Sequence, residues 1–270
     1  MRDISDGLGM GQRRFGRINR LGLWTLILRE VMRFLSVWTQ TVLAPVATAL
    51  LFMTVFTVAF GDRREAVGGV PFDQFLAPGI LMMIVIQQAF ANTSSSIMIS
   101  KIQGNIVDTL MPPLSAGEIL TGYVVGGIIR GLIFAIVVGV VVFPWAGIWP
   151  QHWLWMIWFT FAGSLILSLL GMIAAIHAEK FDQMSLITNF VITPLSFLSG
   201  TFYSVEKLPG VFWTISHANP FFFLIDGFRF GALGVSDSSP WLGFTVTAGL
   251  CLILGGVTWR LLASGYKLKA

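Results

Sequence analysis

An all-α membrane fold is predicted by three features of this 270-residue sequence: six long apolar segments, a composition poor in charge, and an amphipathic stretch ahead of the first segment. Hydrophobic residues make up 55%, charged residues 11%, and the mean hydropathy is +0.80. A water-soluble domain carries about 25% charged residues. The single cysteine, Cys251, lies in an apolar run, so no disulfide forms within the chain.

The first twenty residues, MRDISDGLGMGQRRFGRINR, are basic. They lack the short apolar core and small-residue cleavage site of a signal peptide, so none is expected. In 16–36, Leu23, Trp24, Ile27, Val31, Phe34 and Leu35 share one helical face, with Thr25, Arg29 and Arg33 on the other. That pattern predicts a helix lying along the membrane surface, with Trp24 at headgroup level and the arginines toward anionic lipid. It serves either as an anchor or as a lever that touches a cytoplasmic partner.

The apolar segments lie near 37–60, 76–98, 119–143, 153–175, 184–200 and 242–262. Each is long enough, or nearly so, to cross about 30 Å of hydrocarbon. Pro45 sits near a helix end or at a supported kink. Gly127 and Gly131 form a GxxxG pair, which lets two helix backbones approach closely. The loop 100–118, SKIQGNIVDTLMPPLSAGE, starts amphipathic and stops at Pro112-Pro113. Ser115 with Glu118 three residues on is a capping box for the third span. The loop is either a plain connector or a short docking helix fitted to a partner's groove.

The stretch 181–234 holds a second greasy segment after the fifth span, rich in Phe and broken by Pro, Gly and Asn. Asn219-Pro220 reads as a helix start, because Asn caps free amides and Pro suits the first helical position. The helix it opens, 221–233, is about 20 Å long at 1.5 Å per residue, too short to cross. A re-entrant element on the outer side is therefore predicted. Of the 17 Lys and Arg residues, Arg63, Arg64, Lys207 and Arg229 fall outside if the N-terminus is inside, Arg130 falls within a span, and the rest fall inside. This bias places both termini in the cytoplasm. A full crossing by 221–233 would instead put Arg260, Lys267 and Lys269 outside.

No G-x-x-x-x-G-K-[ST] phosphate loop is present, so the chain does not hydrolyse ATP by that route. His152, His177 and His217 are scattered over three loops, and no zinc-protease, paired-Cys or nucleophile-elbow pattern occurs. The 13 acids lie in loops or near segment ends, which argues against an ion-driven carrier with midplane carboxylates. Catalytic, metal and cofactor residues are expected to be none. Arg130 is the one charge well inside a span. A midplane cation costs about 2.5–3.5 kcal/mol on insertion scales, so it must face protein or water. Gln87 and Gln88 lie at similar depth, and Asn189 lies nearer the inner side. Arg130 is either a packing hydrogen-bond donor or, in the sharper reading, a contact to an anionic substrate or one half of a gating pair. Asp226 and Arg229 are spaced to pair. Phe202, Tyr203, Phe212, Trp213, Phe221, Phe222 and Phe223 form an interfacial aromatic belt, an external gate, or both. Asp62, Arg63, Arg64 and Glu65 read as a solvated turn, and Glu206 and Lys207 mark the outer surface.

The segments AHAEKFDQMSLITNFVITPLSFLSGTFYSVEKLP, SHANPFFFLIDGFRFGALG and NIVDTLMPPLSAGEILTGYVVGGIIRG resemble the ABC-2 type exporter permeases. The likeness covers nearly the whole chain and is closest to the bacterial inner-membrane multidrug subgroup. It implies two permease copies, expected as a homodimer, with a separate ATPase on each, and ATP and Mg held by that partner. It implies a connecting helix around 23–35, with Arg29 and Arg33, and a coupling helix at 102–110, with Lys101, Ile102, Asn105, Ile106, Asp108, Thr109 and Leu110. It implies an external re-entrant pair at 202–233 that closes the pathway. Arg130 and Arg229 fall where such permeases often carry arginine.

The expected organisation is 1–36 cytoplasmic N-terminus and connecting helix, 37–263 transmembrane domain, and 264–270 cytoplasmic tail. The expected function is the membrane subunit of an ATP-driven exporter of a drug, lipid or lipid-linked glycan in a bacterial inner membrane, contacting lipid and no nucleic acid. An ion-coupled carrier and a non-transporting scaffold are the alternatives.

Overall fold

In the computed structural model, residues 18–60 and 66–267 are described; of these, the side chains of Gln40, Thr41, Phe60 and Lys207 are left aside. The expected turn at 62–65, the basic N-terminal residues before 18 and Lys269 fall outside the described residues.

Helix α1 (Arg20–Leu35) is capped by Asn19, whose side chain accepts from the Gly22 amide at 2.9 Å. A turn leads into a π-helical stretch (Thr39–Leu43) and α2 (Ala44–Phe60). Then follow α3 (Phe72–Ile102), the short α4 (Ile106–Leu110), α5 (Ala116–Trp145) and α6 (Trp153–His177). A composite helix comes next: α7 (Phe181–Ile187), a second π stretch (Thr188–Ile192) and α8 (Thr193–Phe197). A 3-10 turn (Val205–Lys207), α9 (Gly210–Ala218), α10 (Pro220–Leu233) and α11 (Pro240–Ser264) complete the chain. The described residues form no strand beyond one bridge, Val67 to Val70.

Among the described residues, four helices, α3, α5, α6 and α11, are long and apolar enough to cross a membrane. The expected first and fifth spans take a different form. Each is a composite whose π stretch ends two residues before a proline, Pro45 or Pro194. The cause is shared: a proline lacks its amide and collides with the carbonyl four residues back, and widening the turn relieves both.

Helix α3 is central and packs against α6, α5, α10 and α2. Glycine sets two of the close approaches. On α5, Gly127 and Gly131 face Ser168 and Ser164 of α6, with no room for a Cβ. This is the predicted GxxxG contact. The two serine hydroxyls lack ordinary hydrogen-bond partners and lie against the glycine backbone, where Cα–H groups donate weakly. A second pair, Gly122 and Gly126, seats α1: Leu26 covers Gly122, and a Cβ on Gly126 would lie 2.6 Å from Glu30 Cβ.

The buried face of α1 is therefore Leu26, Glu30 and Phe34, not the apolar face read from periodicity. Of that expected face, Phe34 turns inward, whereas Trp24 and Leu35 join Leu21, Leu28 and Met32 on an exposed apolar stripe. Helix α10 has 14 residues, about 21 Å at 1.5 Å each. It is buried along nearly its whole length between α6, α11 and α3. A Cβ on Gly231 would lie 2.6 Å from the Met156 amide nitrogen, and one on Gly227 would enter the Phe159 ring.

Candidate functional site

Polar groups gather in three places: the end of the bundle that carries α4, a groove at mid-height, and the opposite end. At the α4 end the organising group is Glu30, fully buried. Its carboxylate accepts from Ser96 Oγ at 2.8 Å and from Arg29 and Arg33, each at 3.3 Å. Arg33 also donates to the Asn92 carbonyl at 2.7 Å, to Asn92 Oδ1 at 3.0 Å and to Ser95 Oγ at 3.2 Å. Arg29 donates to Thr109 Oγ1 and Tyr123 OH, both at 3.1 Å. Asn19 donates its amide to Glu118, which also closes the Ser115 capping box. One knot of charge-assisted bonds thus ties α1 to α3, α4 and α5. The two arginines expected to face lipid headgroups instead bond protein groups, Arg33 to Glu30 and the Asn92 carbonyl and Arg29 to Glu30, Thr109 and Tyr123, while both stay partly exposed.

The expected coupling segment 102–110 is not one helix. Ile102 ends α3, Gln103 caps it, and Gly104 stands in the left-handed conformation at φ +74°. That is the ordinary way a helix stops. The new helix α4 turns Ile106, Thr109 and Leu110 toward the bundle and leaves Asn105, Val107 and Asp108 exposed, with Ile102 and Met111 beside them. Lys101 does not face outward. Its Nζ donates to the carbonyls of Ala175, Ile176 and Ala178 at 3.0, 2.9 and 2.6 Å, capping the C-terminus of α6, where a cation suits the helix dipole. Lys267 reaches Glu179 at 3.0 Å, joining the residues after α11 to the base of α7. That hydrogen bond holds the Glu179 carboxyl below its usual range.

The groove, about 390 Å³, runs between α3 and the composite helix α7–π–α8. Gln87, Gln88, Ser94, Ser95, Ser185, Thr188 and Asn189 supply its polar lining. Phe90, Met98, Phe181, Met184 and Ile192 supply the apolar part. Arg130 stands behind it and donates to Gln88 Oε1 at 2.6 Å. Of the two candidate partners, Gln88 takes the arginine and Gln87 only lines the groove. Phe34 and Phe134 flank the guanidinium, each ring centre 5.8 Å away.

At the far end Asp226 and Arg229 lie 3.8 Å apart, both buried. Asp226 accepts from the amides of Asp237 and Ser238 at 2.8 and 3.0 Å. Arg229 donates to the Gly200 carbonyl at 2.7 Å and lies over Phe75, 3.9 Å from the ring centre. Asp237 holds Ser204 Oγ at 2.9 Å and the Val205 amide at 2.6 Å. Asn219 caps α10 through Phe221 and also donates to the Leu195 carbonyl at 2.9 Å. The result is a clamp on the loop after α8. The expected aromatic group is divided rather than continuous. Phe221, Phe222 and Phe223 are buried inside the bundle, because α10 is a core helix and not a surface one. Phe202 stacks on Phe56 at 4.7 Å and Phe197 at 5.3 Å, while Phe212 and Trp213 stay exposed.

Glu30, Asn92, Tyr123 and Asp237 carry these networks and were not among the residues singled out from sequence. The available signal was the isolated acid of the amphipathic segment, Glu30, set between Arg29 and Arg33 at one and three residues.

Among the described residues, four apolar helices of crossing length, with an uncharged polar groove between α3 and the composite helix α7–α8, fit a membrane transport protein. The chain belongs to the ABC-2 type transporter family, whose profile matches residues 22–233. It is a permease subunit of an ATP-binding cassette transporter, and that class implies an ATP-binding partner subunit. Among individual proteins, it is 34% identical over 242 residues to the inner membrane transport permease YadH of Escherichia coli K12, covering 90% of this chain and 94% of that one. It is 24% identical to nodulation protein J of Rhizobium leguminosarum bv. viciae, covering 84% and 87% of the two chains. It is 28% identical to the daunorubicin resistance ABC transporter permease protein DrrB1 of Streptomyces coeruleorubidus, covering 82% and 77%.

Proposed function

We propose that this chain is the membrane subunit of an exporter in a bacterial inner membrane, moving a drug, lipid or lipid-linked glycan outward. In this reading the two composite helices count as spans one and five, giving six, with α9 and α10 re-entrant and both termini cytoplasmic. Residues 37–263 form the transmembrane domain between the connecting segment 1–36 and the tail 264–270. Two copies pair, each with a separate ATPase that holds ATP and Mg. The relative named for daunorubicin resistance supports a drug among these cargoes, and the one named for inner membrane transport supports the location.

The observation that carries the reading is the knot at the α4 end. A push on α4 reaches α1 through Thr109 and Arg29, and reaches α3 through Glu30, Arg33 and Asn92. Helix α3 is also a wall of the groove. Motion at the ATPase surface therefore has a bonded route to the groove. Ile102, Val107 and Met111 leave 48, 48 and 78% of their surface exposed beside Asp108, a patch fitted to a protein groove.

The test is gentle purification of the tagged chain from its native membrane, with co-eluting proteins identified and ATP hydrolysis measured in lipid discs. An ATPase should co-elute and be lost in a Val107→Asp, Met111→Asp variant, which alters only exposed positions. An ATPase-free preparation that moves cargo on an ion gradient would overturn the reading in favour of a carrier. A stable partner complex without flux would overturn it in favour of a scaffold.

A further inference from the structure

Arg130 is 8% exposed, and no carboxylate reaches it among the described residues. Its Nε has no hydrogen-bond partner, and one neutral amide oxygen meets its Nη2. Among the described residues, Arg33 acts on it with the same sign, though Arg33 is itself paired with Glu30 at 3.3 Å. A buried cation with so little compensation costs free energy that an anion would recover. Gln88, which accepts the Arg130 bond, also lines the groove and is itself only partly buried. Gln88 offers an oxygen where an anionic oxygen would be better. Along the same wall, Ser95 is hydrogen-bonded to Arg33 at 3.2 Å. Arg130 and the Glu30-paired Arg33 thus each bond a residue of a groove whose lining holds no charge of either sign. The opposite wall contains the π stretch Thr188–Ile192, a backbone form that collects at functional sites. Phe90, Met98, Phe181, Met184 and Ile192 leave room beside the polar strip for an apolar tail.

We infer that the groove between α3 and α7–α8 binds the anionic head of an amphiphile, a phosphate or carboxylate on an apolar tail, with Gln88 swinging aside so that Arg130 pairs with it. That the occupant is cargo rests on the exporter reading; that the site selects negative charge does not. The neutral amide is a placeholder: it satisfies Arg130 weakly when the groove is empty and yields to a charged acceptor. Soluble anions lack the tail, so inorganic phosphate does not compete.

The experiment is native mass spectrometry of the purified chain released from neutral detergent. Phosphatidylglycerol or phosphatidylcholine with the same acyl chains is titrated in, without ATP or partner. The first phosphatidylglycerol should bind at least about tenfold more tightly than the first phosphatidylcholine. Arg130→Gln should erase that preference, Arg130→Lys should keep most of it, and Thr188→Trp should block both lipids by filling the groove from the other wall. Arg260→Gln, an exposed arginine on α11, should change nothing. Since Arg130→Gln risks misfolding, circular dichroism and the groove-filling variant keep the result readable. Equal binding of the two lipids, an unchanged preference in Arg130→Gln, an equal loss in Arg260→Gln, or displacement by inorganic phosphate would each overturn the inference. Because no ATPase takes part, such a failure leaves the exporter reading to its own test. If the partner complex is then supplied with ATP, movement of bound phosphatidylglycerol to the opposite leaflet marks a cargo site, and retention marks a resident lipid; both keep the anion site.

Discussion

Replacing Glu30 with alanine is the sharpest way to ask whether the knot at the α4 end holds α1 in place. The carboxylate is fully buried and makes three charge-assisted bonds. Losing the Ser96 bond to a charged acceptor costs about 1.5–3 kcal/mol. The two arginines are discounted, because their side chains are 44 and 30% exposed and turn partly to water. Each then adds about 0.5 kcal/mol, in the range of exposed pairs. Glu30→Ala should therefore destabilise by about 3 kcal/mol. Glu30→Gln keeps the Ser96 bond and should cost about half as much. The assay is equilibrium unfolding in mixed micelles against the mole fraction of dodecyl sulfate, followed by tryptophan fluorescence. In a double-mutant cycle, Glu30→Ala with Arg33→Ala should be less damaging than the sum by about 0.5–1 kcal/mol. The coupling is modest because Arg33 keeps Asn92 and Ser95 when Glu30 is gone. A loss below about 1 kcal/mol for Glu30→Ala, or strict additivity in the cycle, would refute the reasoning and move the anchoring of α1 to Leu26, Phe34 and the bonds that bypass Glu30.

Gly227→Ala should destabilise by about 2–3 kcal/mol, since the methyl enters the Phe159 ring, and Phe159→Leu should restore much of the loss in the same unfolding assay. Lys101→Met should cost about 0.5–1 kcal/mol and speed hydrogen exchange in the last turn of α6, where three carbonyls lose their donor. Asp237→Ala frees Ser204 and the Val205 amide, so a cysteine placed at 203 in a Cys251→Ser background should label faster, with a local loss of about 1–3 kcal/mol. Unchanged labelling would show that Asn219 and Arg229 hold that loop without it.

The all-helical membrane fold, the Ser115 capping box, the Asn219 cap and the Gly127–Gly131 approach were legible because each rests on residues a few positions apart. The pairing of Arg130 with one of two glutamines was legible because a midplane cation has few polar neighbours to choose from. The buried face of α1 was not legible. In a membrane-facing helix both the lipid side and the protein side are apolar, so periodicity finds a stripe without saying what covers it. Here the covered side holds Glu30. Lys101 was read as an outward contact because its destination, the end of α6, lies 74 residues away in sequence. The break at Gly104 was missed because the apolar pattern of 102–110 runs through it, while the left-handed glycine is a backbone property. The burial of Phe221, Phe222 and Phe223 follows from α10 lying between three other helices, which no local pattern records.

The paired glycines of α5 set the stiffness of this molecule. Gly122 and Gly126 face α1, and Gly127 and Gly131 face α6, so α5 meets two neighbours backbone-first within a span of ten residues. Ordinary helix contacts are cushioned by side chains that change rotamer when a neighbour shifts. Here α5 adds nothing to that cushion on either side, and Leu26, Glu30, Ser164 and Ser168 press directly on its backbone. A displacement of α1 is handed to α5, and from α5 to α6, with little lost in between. Four absent methyl groups thus bring three helices into close register, so that a shift of α1 or α6 should be felt by α5 before any other helix.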